Sequence, residues 1–280
     1  MNVGHWRVDT LILGRFRLDG GAMFGVVPKV LWEKVAPADE ANRISLAMRC
    51  LLLRDGKRTV LVDCGLGHKE DERFRAQFAL EQAPGILDLE LARLDCRSDQ
   101  ITDLVLTHLH FDHSGGAILR ESDGRLVPQF PNARIHLQRR QWQWAFERHP
   151  RDRASYLNDN LEPLKDWNLN LLDGEGPILP GVSAIIVDGH SPGMQMIALD
   201  GDPGLIYLAD LIPTAAHLPL AWVMGYDLEP LKTVAEKQRL AGWALDRRTH
   251  LVFEHDPELS SVVCGEGARG PEILERHPDL

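Results

Sequence analysis

The chain has 280 residues with 31 basic and 41 acidic side chains, a net charge of −10. That balance excludes a broad electrostatic footprint for nucleic acid or an anionic membrane, and it points to a small, neutral or weakly polar substrate. The length suits one domain spanning 1–280, and Cys50, Cys64, Cys96 and Cys264 form no C-x-x-C pair, so neither a zinc finger nor a disulfide framework is expected.

The first nine residues carry no charged leader with an apolar core behind it, and no later run reaches membrane-spanning length, so a cytoplasmic protein is expected. Residues 1–44 read as an N-terminal extension. It holds a strand at about 8–18 and then a glycine-bounded apolar loop at 20–28, where Met23 and Phe24 are candidates for a pocket wall and the loop itself for a homodimer contact. Strands at 45–54 and 58–63 flank the turn-forming Asp55-Gly56-Lys57, which predicts a hairpin. The second strand breaks at Gly65 and Gly67, leaving Asp63 as a polar group at the end of a buried run, where it supports a neighbour or serves the fold. Helical spacing covers about 74–94, and 101–107 is the next strand.

That strand runs into Thr107-His108-Leu109-His110-Phe111-Asp112-His113-Ser114-Gly115-Gly116. Three imidazoles and a carboxylate within six residues are the side chains that hold zinc, iron or manganese. His108 and His110 alternate with Leu109 and so face one way in extended backbone, whereas Asp112 and His113 follow a turn and can face a second point. One segment thus suits two metals. Asp63 and Thr107 are the nearest groups in sequence to fix the imidazole tautomers.

The second half repeats the rhythm, with strands near 134–137, 183–187, 205–209 and 250–253 and helices at 138–148 and about 228–245. Two sheet-forming halves with helices outside predict an α/β fold, a four-layer αββα sandwich, and the stretch 266–280 reads as a loosely packed tail. Three of the later strands end in candidate ligands: His190 in Asp188-Gly189-His190-Ser191-Pro192-Gly193, Asp210 after the run ending at Ala209, and His255 after Glu254. Alone, each is an ordinary loop or cap residue. Together they predict His190 joining His108 and His110 on one metal, His255 joining Asp112 and His113 on the other, and Asp210 bridging the pair.

H-x-H-x-D-H at 108–113, G-H-S-P-G at 189–193, Asp210 and His255 together resemble the metallo-β-lactamase superfamily of metallohydrolases, over roughly residues 45–257. The resemblance implies the αββα fold, the two-metal ligand set above and Asp63 as the usual supporting aspartate. Within the superfamily the chain is most similar to the compact group of N-acyl homoserine lactonases and methyl parathion hydrolase-like phosphotriesterases. One position departs: the lactonases place a tyrosine three residues after the bridging aspartate, and here Pro213 stands there, with Tyr226 on the following loop as the candidate replacement.

Two divalent ions, zinc first with iron, manganese and cobalt as alternatives, lower the pKa of a shared water toward about 7 and give hydroxide. Asp112 would orient it and protonate the leaving oxygen. The expected activity is cleavage of an ester or lactone of a small, fairly apolar substrate; phosphotriester hydrolysis is the alternative, as is a persulfide dioxygenase-like reaction on a single iron. Phe24, Met23, His217, Trp222 and Tyr226 are the pocket candidates, and Trp142, Trp144 and Phe146 on the middle helix are weaker ones.

Overall fold

Leu51-Leu52-Leu53 and Val60-Leu61-Val62 are buried at every residue, as strands covered on both faces are. In the computed structural model, which describes residues 1–244, 248–267 and 270–280, they lie in the strands Arg43–Arg54 and Thr59–Val62 of a seven-stranded sheet. Asn2–Val3 and Trp6–Asp19 extend that sheet on one side by antiparallel pairing. Asp103–Val105, Arg134–Gln138 and Leu169–Leu172 extend it on the other by parallel pairing. A second seven-stranded sheet runs in chain order from Gly176–Leu179 to Gly270–His277, antiparallel except where Leu205–Tyr207 pairs parallel with His250–Val252.

Val8, Leu53, Val60 and Val105 of the first sheet pack against Val182, Ile197, Leu205, Tyr207 and Val252 of the second. The outer face of the first sheet is covered by Leu87 and Leu91 of the helix Ile86–Arg93 and by Ala145 of Arg139–Glu147. Leu240 and Ala244 of the helix Pro230–Ala244 cover the second. The four-layer αββα sandwich expected from the sequence is therefore the fold. Among the described residues no helix is long and apolar enough to cross a membrane.

Polar stitches join the sheets where the parallel strands end. Gln195 donates from its backbone N–H to Thr107 O (3.0 Å) and from its amide to Leu106 O (2.8 Å). Ala47 and Arg49 donate their N–H groups to His255 O and Glu254 O at 3.0 and 3.1 Å. The buried Arg49 guanidinium reaches Phe253 O (2.6 Å) and Asp256 O (2.9 Å), and the Tyr207 hydroxyl donates to Arg49 O at 2.6 Å. The loop carrying Glu254 and His255 is thus held from the opposite sheet.

Several expected elements differ. The helix expected at 74–94 is two helices, Glu72–Gln77 and Ile86–Arg93. Pro84 disfavours helical backbone at Ala83, Gly85 sits at φ 68°, and Glu81 exchanges two backbone hydrogen bonds of 2.8 Å with Arg15. The helix expected to end at Leu245 runs over Pro230–Ala244, and Leu245 lies outside the described residues. The tail expected at 266–280 is a strand: Gly270–His277 pairs with Ser261–Gly267, its Glu272-Ile273-Leu274-Glu275 alternating across the sheet edge; residues 268 and 269 lie outside the described residues. Leu169–Leu172, Gly176–Leu179 and Met194–Leu199 are strands that the sequence reading left unassigned.

Candidate metal centre

Each clustered side chain stands just past a strand end. Asp63 follows Thr59–Val62, the histidine run follows Asp103–Val105, Asp210 follows Leu205–Tyr207, and His255 follows His250–Val252. Asp63 and Ala209 hold φ of 54° and 46°, uncommon for residues with a Cβ, and both bends turn the chain at the site. The helix Phe111–Ser114 closes against the loop after Asp63. A Cβ on Gly116 would lie 2.0 Å from Cys64 O, and one on Gly115 2.2 Å from Leu66 O, so only glycine permits this approach.

Two sets of donor atoms converge. In the first, His108 Nε2 lies 3.0 Å from His110 Nδ1, which lies 3.2 Å from His190 Nε2; that nitrogen is 3.2 Å from Asp210 Oδ2. In the second, His255 Nε2 lies 3.3 Å from His113 Nε2, 3.7 Å from Asp112 Oδ2 and 3.1 Å from Asp210 Oδ1. Asp210 turns one oxygen toward each set. All seven side chains are buried.

Imidazole nitrogens with no proton to share repel at such distances unless a cation or proton stands between them. An ion with tetrahedral bonds of about 2.0–2.1 Å sets neighbouring donor atoms about 3.3 Å apart, which these spacings match. The Oδ1 atom of Asp210 is buried and accepts no hydrogen bond. Donor type, spacing and this unpaired oxygen all fit divalent cations.

The outward nitrogens of four of the five rings are spoken for, while His110 Nε2 is buried without a hydrogen-bond partner. His108 Nδ1 lies 3.1 Å from Thr107 Oγ1, whose proton goes to Asp63 Oδ2 at 2.7 Å while the Thr107 N–H goes to Asp63 Oδ1 at 2.7 Å. His113 Nδ1 faces Asp63 Oδ2 at 3.2 Å and Glu254 Oε2 at 2.9 Å. His190 Nδ1 faces Asp227 Oδ1 at 3.0 Å, and His255 Nδ1 donates to Ala47 O at 2.7 Å. With the proton held on Nδ1, each of these four rings turns an Nε2 lone pair inward.

Electrostatics divide the two sets. Burial, reinforced by neighbouring imidazoles, drives His108 and His110 well below the ordinary histidine range. Burial opposes charge at His113 too, but Glu254, Asp112 and Asp210 overcome it and raise that ring well above the range. His255 is raised to about 9 as Asp210 and Glu254 outweigh its burial, and His190 is raised as Asp210 and Asp227 do the same. Burial pushes the Glu254 carboxyl up to about 8.

Above the centre lies a cavity of about 510 Å³ lined by Leu18, Met23, Leu46, Phe78, Phe111 and Met224, with His110, Asp112, His190, Asp210 and His255 at its floor. Tyr226 lines it as well. Arg151 is part of the lining too, donating to Gly225 O at 2.5 Å. Of the expected pocket residues, then, Met23 and Tyr226 reach the cavity and three do not. Phe24 is wholly buried between Trp32 and His217 (ring centroids 5.3 and 4.5 Å), with Trp222 against its edge. His217 is buried behind Met23, bonded to Met23 O at 2.9 Å and Thr214 Oγ1 at 2.8 Å. Aromatic rings there stack on one another in preference to facing the cavity. Trp142, Trp144 and Phe146 pack on the first core, and Trp144 Nε1 donates to Asp152 Oδ2 at 2.7 Å in the cavity wall.

Pro213, in place of a tyrosine, contributes its carbonyl, which accepts the His255 N–H at 3.0 Å. Sequence reasoning missed Asp227, although it is the sole carboxylate between Asp210 and Glu229. It also missed Tyr156, whose ring packs 4.9 Å from His110 and whose hydroxyl lies 2.9 Å from Ser191 Oγ. No local pattern marks Tyr156.

A family model described as the metallo-beta-lactamase superfamily matches residues 49–247. An N-acyl homoserine lactonase of Bacillus cereus is 28% identical over 232 residues, which are 78% of this chain and 84% of that protein. The crystal structure of a probable metal-dependent hydrolase from Staphylococcus aureus is similar with a TM-score of 0.90 at 28% identity, covering 99% of this chain and 98% of the other. A dizinc quorum-quenching lactonase in complex with a product, N-hexanoyl-L-homoserine, shares the fold with a TM-score of 0.78 at 20% identity, covering 98% and 95% of the two chains.

Proposed function

Because the chain belongs to the metallo-beta-lactamase superfamily, we propose that it is a metal-dependent hydrolase that opens a lactone, or cleaves an ester, of a small and mostly apolar substrate. The observation that carries this reading is the pair of donor sets sharing Asp210 on the floor of a cavity whose wall includes Leu18, Met23, Phe111 and Met224. The lactonase relatives support the lactone as the preferred ester.

His108, His110 and His190 would hold one divalent ion, Asp112, His113 and His255 the second, with Asp210 between them. When bound, two such ions polarise a carbonyl and make water acidic enough to react near neutral pH. The chain supplies the rest. Asp112 has a carboxylate at the cavity floor, placed to take the proton of the attacking water and return it to the leaving oxygen. Leu18, Met23, Phe111 and Met224 receive an acyl chain and keep bulk water from the reacting carbonyl. Tyr226 is the phenol available to hydrogen-bond the substrate from above.

The test is metal analysis of protein purified without added metal, followed by a panel of lactones, esters and phosphotriesters. Two ions per chain, chelator-sensitive turnover and a preference for lactones are expected. Metal-loaded protein that cleaves none of these would overturn the proposal, and turnover confined to phosphotriesters would replace its substrate.

A further inference from the structure

The segment between Thr214 and Leu228 carries cavity-wall residues Met224, Gly225 and Tyr226 and ends with Asp227, which holds His190. Its sequence, Leu218-Pro219-Leu220-Ala221-Trp222-Val223-Met224, has no aliphatic amine or hydroxyl of its own to satisfy backbone carbonyls. An irregular backbone that buries carbonyls must find donors elsewhere. One side chain supplies them. Lys237, in the third turn of the helix Pro230–Ala244, is 2% exposed and donates to His217 O at 2.5 Å, Pro219 O at 2.7 Å and Trp222 O at 3.0 Å.

A buried ammonium without a contacting carboxylate is costly, so its retention needs a reason beyond filling space. The ammonium's three protons match the three carbonyls in number, and those carbonyls span the stretch just ahead of the cavity wall. The wall is then tied at both ends. Gly225 N–H donates to Ala22 O at 2.8 Å beside Met23, and Asp227 Oδ2 accepts from the Met224 N–H at 3.2 Å while its Oδ1 faces His190.

From this connection we infer that Lys237 is a positioning residue for the metal centre and cavity wall: by gathering the 217–222 carbonyls it sets where Asp227 holds His190 and where Met224 and Tyr226 stand. The inference rests on the metal-centre reading given above. Lys237 touches neither the donor set nor the cavity, so it acts through the loop.

The experiment uses the full chain loaded with cobalt(II), whose visible absorption reports the ligand geometry, and measures metal release to a chelator alongside kcat and KM on the best lactone of the panel. Lys237→Met is expected to speed release of one of two ions by about 10–100-fold, the range seen when groups behind a metal ligand are lost. It should alter the cobalt spectrum and lower kcat more than it raises KM. Lys237→Arg, which keeps the charge with differently aimed donors, should fall between. Asp227→Asn should affect the same ion, and the double variant should be no worse than the poorer single one.

Leu53→Ala, a cavity in the core between the sheets that contains no cavity-wall residue, controls for lost stability: folded at the assay temperature, it should release both ions at the native rate. If Lys237→Met does not fold, the Lys237→Arg and Asp227→Asn comparison carries the test. Native release rate and native spectrum in a folded Lys237 variant would overturn the inference while leaving the metal centre standing. Native protein that takes up no cobalt or zinc would overturn both.

Discussion

His108 and His110 are surrounded by imidazoles, the Thr107 hydroxyl and the Tyr156 ring, with Asp210 as the carboxylate they face, whereas His113 and His255 stand among Asp63, Asp112, Asp210 and Glu254. The first pair is kept neutral, with lone pairs ready; the second is inclined to hold protons. A metal entering the first set meets two neutral rings and only His190 inclined to hold a proton, but one entering the second must displace protons from both of its rings, which the surrounding carboxylates favour in charged form. The more anionic set would also be the better home for a cation once those protons have gone.

The largest expected effect breaks the anionic side at the reacting centre. Asp112→Asn keeps size and loses the proton carrier, and kcat should fall by about 10²–10⁴-fold, read in lactone turnover with metal content measured in parallel. A fall below tenfold with both ions retained would remove Asp112 from its proposed role. Next come the two supporting carboxylates. Asp227→Asn should weaken the ion held with His190, whereas Asp63→Asn, which loses support behind His113 directly and behind His108 through Thr107, should weaken both, each by about 10–100-fold, seen as one or two altered phases in chelator competition. A native second phase in Asp63→Asn would remove one of its two supporting roles.

Proton linkage sharpens the contrast. His255 is raised in the folded metal-free protein to about 9, so its stabilising charge is present below the unfolded pKa and lost as pH climbs through about 9. Metal uptake at its set should therefore strengthen by up to about tenfold per pH unit toward pH 9 and level off above, with proton release measurable by titration calorimetry in two buffers. Uptake at the His108 and His110 set should change less over the same window. Behind the cavity, burial lowers His217 to about 4, the opposite sign. Its stability is complete above the unfolded histidine pKa and is lost as pH falls from about 6.5 toward about 4. His217→Gln should flatten urea-derived stability across that window by roughly 1–3 kcal/mol relative to native. The smallest effect is expected from Tyr226→Phe, a loss of about 2–10-fold in kcat/KM, the worth of one hydrogen bond.

Legibility in the sequence followed the same divide. Four of the seven clustered side chains lie in the contiguous run 108–113, and a local reading finds them at once. His190, Asp210 and His255 were legible because apolar runs ended at them, a signal of strand termini. Asp227 and Lys237 act through a loop without periodicity, and their roles arise from three-dimensional closure, which no spacing encodes. Met23 and Tyr226 line the cavity as the sequence reading expected, whereas Phe24, His217 and Trp222, aromatic rings in the same segments, stack among themselves and turn inward. The edge strand at 270–277 was missed because polar alternation beside a chain end reads equally well as coil.

The stitches between the sheets have a further consequence. The amides of Ala47, Arg49 and Gln195 all bond across to the opposite sheet at the end where the donor sets converge, while farther along, the layers meet through side chains such as Val8, Val60, Val182 and Leu205. Hydrogen exchange should therefore be graded along the sandwich, slowest at that end. Bound metal, holding residues of both sheets, should slow exchange at those three amides most, and by a factor that grows with free metal concentration. The sandwich would then open, when it opens locally, from the far end like a hinged pair of plates.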